Sequence, residues 1–163
     1  MSSTALSLSA RPASHSFSWA RFALLGLGTV VAAVAANTLF YFVGSTVVDY
    51  DQEFLPLANV SGAIIFTVFS ATVAVLLYAG LLRFTRNPAR IFTIISAIVF
   101  VVTLIPDVTY IPTVPGSTPA QTAILMMMHV VAASVILRLL TTARKTSVQG
   151  RHGSTAMRGL TAS

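Results

Sequence analysis

The stretch Ser96–Ala133, SAIVFVVTLIPDVTYIPTVPGSTPAQTAILMMMHVVAA, decides the fold. Its middle, PTVPGSTP (Pro112 to Pro119), holds three prolines and a glycine and must be a turn. The apolar runs on either side extend to about residues 91–111 and 120–140. Crossing a ~30 Å hydrocarbon layer takes about 20 apolar residues as a helix, so the pair reads as a transmembrane hairpin. Two of its residues are foreign to lipid, Asp107 and His129.

Two further apolar runs precede the hairpin, at about 22–46 and 57–82. The chain has 163 residues, 55% hydrophobic and 9% charged. A soluble domain carries about 25% charged residues, so a water-facing surface of this size is excluded. The expected fold is all-α: a polytopic membrane protein with four transmembrane helices in one bundle over residues 21–140. Residues 1–20, rich in Ser and Ala, and the basic residues 141–163 are expected to be disordered tails. Arg21, the apolar stretch after it and Ala33-Val34-Ala35 also fit a cleaved leader. The chain stays apolar well past that site, and small residues equally serve helix packing, so an uncleaved first helix is expected.

The charges set the topology. The bases are Arg11, Arg21, Arg83, Arg86, Arg90, Arg138, Arg144, Lys145, Arg151 and Arg158. All lie in the N-terminal tail, the second connection or the C-terminal end. The acids Asp49, Asp51, Glu53 and Asp107 lie in or near the first and third connections. The positive-inside rule then puts both termini in the cytoplasm of a multi-pass plasma-membrane protein. The formal charge of +6 points to anionic headgroups at the cytoplasmic face and not to nucleic acid. The absence of cysteine excludes disulfides and thiolate chemistry.

Polar groups inside the spans are the informative ones. Each expected helix carries one: Asn37, Asn59, Asp107 and His129. At 1.5 Å per residue, Asn37, Asn59 and Asp107 fall roughly 3–8 Å below the outer surface, and His129 about 14 Å below it. A direct Asp107–His129 contact then requires a broken helix or a strong tilt. Thr93, Ser96, Phe100, Thr103, Asp107 and Tyr110 share one face of the third run at 100° per residue. Asn37 shares a face with Gly26, Ala33 and Gly44, Asn59 with Ala63, Phe66 and Ser70, and His129 with Thr122, Leu125 and Ala133. The candidate site is an outward-facing polar pocket formed by Asn37, Asn59, Thr103, Asp107 and His129. Pro106 leaves the carbonyl of Val102 without its usual donor, so a kink or local unwinding is expected there.

No phosphate-binding loop, nucleophile motif or metal-ligand cluster stands out, and the three consecutive methionines Met126–Met128 read as packing. No cofactor, metal or catalytic residue is expected. The leading expectation is a non-enzymatic accessory or interaction protein. The alternative is an oligomeric small-solute or proton transporter, or a ligand binder, using Asp107 and His129. A homo-oligomer or a protein partner is the expected association.

Leu125–Ala133, LMMMHVVAA, resembles the last-helix pattern of an uncharacterised bacterial family of four-helix membrane proteins, mainly actinobacterial. Leu104-Ile105-Pro106-Asp107 and the small-residue, asparagine-containing first helix are similar to it as well. The likeness covers about residues 20–140. It implies the four-helix fold and a plasma-membrane location, implies no activity, and makes His129 the signature residue.

Overall fold

The computed structural model describes the backbone of residues 18–159 and the side chains of residues 18–142. Five helices follow in order: α1 (Trp19–Ser45), a four-residue α2 (Leu55–Ala58), α3 (Val60–Phe84), α4 (Pro88–Thr109) and α5 (Pro119–Gly159). A 3₁₀ turn, Ile111–Thr113, lies between α4 and α5, and no strand occurs among the described residues. Among the described residues, four segments are long and apolar enough to cross a membrane: Trp19–Ser45, Val60–Phe84, Pro88–Thr113 and Pro119–Thr142, with mean hydropathy from 1.9 to 2.4.

Local chemistry fixes the helix ends. Ser18 caps α1, its hydroxyl accepting the backbone N–H of Arg21 at 3.4 Å. Asn59 caps α3, its side chain accepting the N–H of Ser61 at 2.9 Å. Pro88 opens α4, where a missing N–H costs nothing. The helix then runs unbroken through Pro106 to Thr109, so the expected unwinding is absent. Pro106 is exposed, so its ring points off the bundle, and its own carbonyl accepts the N–H of Tyr110 at 2.8 Å. The backbone of α5 continues to Gly159, beyond the expected end near residue 140. The expectations for residues 1–17, and for the side chains from residue 143 on, lie outside the described residues.

Around the bundle the order is α1, α3, α4, α5. α1 packs closely on both α3 and α5, and α4 packs on α5 and more loosely on α3. Periodicity explains the tight seams. The buried face of α1 is Gly26, Thr29, Ala33, Asn37, Tyr41 and Gly44, and that of α3 is Ala63, Thr67, Ala71 and Tyr78. These are spacings of three and four with mostly small side chains, which lets backbones approach. Large apolar side chains such as Leu24, Phe66, Phe69 and Leu76 stay exposed around the rim, as in a helix bundle bathed in lipid.

Two apolar clusters divide the interior. One, near the α3–α4 connection, gathers Ala33, Ala71, Tyr78, Phe92, Ile136 and Leu140. Tyr78 and Phe92 meet edge to face there, with ring centroids 5.0 Å apart, which draws α3 and α4 together at that end. The other gathers Tyr41, Phe54, Leu57, Ala63 and Met128, with Ile111, Val114, Ile124 and Leu125 against it.

The second cluster is built partly from Phe54, which the sequence assigns to the acidic first connection, and from Leu57, where the second apolar run is expected to begin. Phe54 and Leu57 are both 0% exposed. The Tyr41 hydroxyl donates to the Leu57 carbonyl at 2.8 Å, and the Tyr50 hydroxyl donates to the Tyr41 carbonyl at 2.9 Å. Burial, with the Tyr41 phenol beside it, pushes the Tyr50 phenol above the usual tyrosine range and keeps it a donor. Gln121 donates to the Asp49 carbonyl at 3.0 Å, tying the first connection to the start of α5. The connection is therefore a plug seated on the bundle, against which the 110–118 turn packs.

Candidate functional site: a polar layer between two apolar clusters

Two of the buried polar side chains, Asn37 and Thr67, lie between the two clusters. On α1, Asn37 sits one turn from Ala33 of the first cluster and one turn from Tyr41 of the second. On α3, Thr67 sits likewise between Ala71 and Ala63. The Asn37 amide donates to the Thr67 hydroxyl at 2.7 Å, and that hydroxyl donates to the Ala63 carbonyl at 2.7 Å. The direction of this chain is chemically fixed, because a carbonyl only accepts. Asn37 must therefore present its Nδ2 to Thr67 and its Oδ1 elsewhere. That Oδ1 is buried and has no hydrogen-bond partner.

Asp107 and His129 complete the layer. His129 Nδ1 lies 2.9 Å from the Leu125 carbonyl and 3.4 Å from Asp107 Oδ2. The carbonyl can only accept, so Nδ1 carries the proton and Nε2 of a neutral ring keeps its lone pair. At 3.4 Å the Asp107 carboxyl group touches the ring, but the contact is too long for a good hydrogen bond, and Asp107 Oδ2 has no hydrogen-bond donor among the described residues. Asp107 is buried at 5% exposure.

This contact overturns the depth separation expected from the sequence, without a broken helix. α4 ends at Thr109, and the 110–118 segment then runs beside the first turns of α5, so Ile111 and Val114 join the cluster holding Ile124, Leu125 and Met128. Counting both helices from one common surface therefore misplaces Asp107. The side chains also converge, because each leans toward the N-terminus of its own helix and the two helices run antiparallel.

Asn59 does not join the layer. It is exposed and occupied as the α3 cap. Its place is taken by Thr67, which sequence reasoning missed. Asn directly before an apolar periodic run is an N-cap signal, and it was available. Taking Asn59 as a helical residue centres the inferred face on Ala63, Phe66 and Ser70, about 70° from the centre of the buried Ala63-Thr67-Ala71 stripe. Thr103 is exposed on the inner edge of α4, with its hydroxyl donating to the Phe100 carbonyl at 2.8 Å.

Asn37, Thr67, Ser70, Thr103 and His129 line one cleft of about 550 Å³, with Phe66, Leu125 and Met128 among its apolar walls. Its floor is α1 and α5. Its sides are α3 and α4, which are pinned together at the Tyr78–Phe92 contact and packed loosely beyond it. The connection residues Leu55, Pro56 and Ile111 close the end of the cleft. The opening is thus lateral, between α3 and α4, and not at the loop end where an outward-facing pocket was expected.

Residues 17–146 match a family described as a family of unknown function, DUF6069. The chain belongs to the DUF6069 family. The match takes in every residue of the polar layer and all four apolar spans. The resemblance drawn from Leu125–Ala133 thus holds at the level of an uncharacterised family with four membrane-length helices. No curated protein and no solved structure matches the chain. DUF6069 membership brings no activity with it, so function is read from the polar layer itself.

Proposed function

We propose that this DUF6069 protein is a non-enzymatic, multi-pass plasma-membrane protein of a bacterium, with both termini in the cytoplasm. It binds a small amphipathic molecule in the cleft between α3 and α4. The topology is supported by the segregation of ten Lys and Arg from the four acids along the chain. Binding is supported above all by Asn37, which lines an open cleft and whose Oδ1 is a buried acceptor without a donor among the described residues. Leaving such a group unsatisfied costs about 1–3 kcal/mol, a cost that a donor on a ligand removes. A cleft of about 550 Å³, mostly apolar with a few convergent polar groups, has the build of a small-molecule site.

Native mass spectrometry of the full chain extracted in mild detergent tests the proposal. Ser70 stands on the exposed wall of the cleft, so Ser70→Phe fills the mouth without entering the core. The wild type should carry a small-molecule adduct that Ser70→Phe loses while melting at the same temperature. No adduct, or one that both proteins retain equally, overturns the proposal. A stoichiometric protein partner indifferent to Ser70→Phe would favour an accessory subunit instead.

A further inference from the structure

We infer that the cleft selects an amphiphile with a protonated amine head, such as a single-chain alkylammonium; this deepens the binding proposal above and rests on it. The polar surface of the cleft consists almost wholly of acceptors. The Thr67, Ser70 and Thr103 hydroxyls each donate to a carbonyl of their own helix, at 2.7, 2.8 and 2.8 Å. Only lone pairs are left to face the cleft. His129 directs its Nδ1 proton to the Leu125 carbonyl and leaves Nε2 as an acceptor. Asn37, which lines the cleft, adds an Oδ1 that is buried and has no donor among the described residues. The second N–H of Asn37 is the one remaining donor in this set. Behind His129 stands the Asp107 carboxyl group, and no lysine or arginine among the described residues lines the cleft.

Such a surface discriminates by chemistry. A carboxylate or phosphate head would set lone pairs against lone pairs, with no basic residue to offset its charge, so anionic amphiphiles are rejected. A hydroxyl head brings one donor. An ammonium head brings three donors and a positive charge, which in a low-dielectric site is attracted to Asp107. Phe66, Leu125 and Met128 supply apolar wall for the chain, and the loose α3–α4 seam lets it enter from the side.

The test titrates the full chain in phosphatidylcholine nanodiscs with tetradecylamine, tetradecanol and tetradecanoate, and reads one-to-one adducts by native mass spectrometry. Tetradecylamine should bind at least tenfold more tightly than the alcohol, and the acid should not bind specifically. Asn37→Leu and Asp107→Asn should each weaken amine binding about tenfold, the first by removing an acceptor and the second by removing the acid behind His129. Leu76→Ala, on the lipid-facing side of α3, should leave binding unchanged. If Asn37→Leu does not fold, Asn37→Asp replaces it and should tighten amine binding. Equal binding of amine and alcohol overturns the inference while leaving a binding cleft intact. Equal adducts from all three probes, indifferent to Asn37→Leu and Asp107→Asn, mean membrane partitioning only and overturn it too. An endogenous adduct lost in Ser70→Phe but not displaced by amine defeats this inference alone; no endogenous adduct defeats the binding proposal and this inference with it.

Discussion

A Gly116→Val protein is expected to lose about 2–3 kcal/mol of stability in detergent, read as a lowered thermal midpoint. Gly116 is the one described residue with positive φ, at 72°. A β-branched side chain is strongly disfavoured in that region. Space is also lacking: a Cβ there would lie 2.8 Å from the Phe54 backbone nitrogen and 3.0 Å from Asp51 Cγ. Backbone cannot swing aside as a flexible side-chain end does. The contact joins the two connections at the plug, so the penalty falls on their packing. Gly80→Ala is the matched control. It lies within α3, where an added methyl would meet nothing within 4 Å, and should be neutral or mildly stabilising. A Gly116→Val protein melting with the wild type would mean that the 110–118 turn does not rest on the 49–58 connection.

Phe54→Ala is expected to cost about 3–5 kcal/mol, the range for removing a fully buried phenylalanine. Phe54 is 0% exposed and anchors the cluster that closes one end of the bundle. Leu55, its neighbour, is 77% exposed, and Leu55→Ala should be nearly silent. Beyond the lower melting point, Phe54→Ala should open residues 49–59 to limited proteolysis in intact nanodiscs. Equal protease resistance of the two variants would contradict the plug. Because Phe54 and Gly116 meet, the double variant should lose less than the sum of the two single losses.

The legibility of the sequence differs between spans and connections for a physical reason. The four apolar spans were readable because length and composition alone define them. The α1 face was readable too: Gly26, Ala33, Asn37 and Gly44 are all buried as spacing predicts. The plug was hidden. Asp49, Asp51 and Glu53 make the first connection look like solvent-facing topology, while Phe54 in that connection and Leu57, at the expected start of the second run, carry the packing. Nothing in spacing tells which of a loop's apolar residues turns inward. Depth counting failed at Asp107 and His129 because it assumes that both helices of a hairpin reach the same surface. The 3₁₀ turn Ile111–Thr113 and the residues after it break that assumption by rising along α5. Asn37 was assigned correctly to the interior, but its partner Thr67 was missed because threonine in a helix carries no distinct periodic signal. Thr67 differs from Thr72, which is exposed, only in the face it occupies.

The polar layer rests on an Asp107 that touches a His129 protonated at Nδ1. Imidazole ¹⁵N spectroscopy of the full chain in nanodiscs reads where that proton sits. The chain has three histidines, and His129→Gln identifies the signal. The predicted result is a His129 ring protonated at Nδ1 and bare at Nε2, with the Nδ1 resonance moving in Asp107→Asn and the Nε2 resonance moving when alkylammonium is added. A ring protonated at Nε2 alone, and unmoved by Asp107→Asn, would contradict the claim.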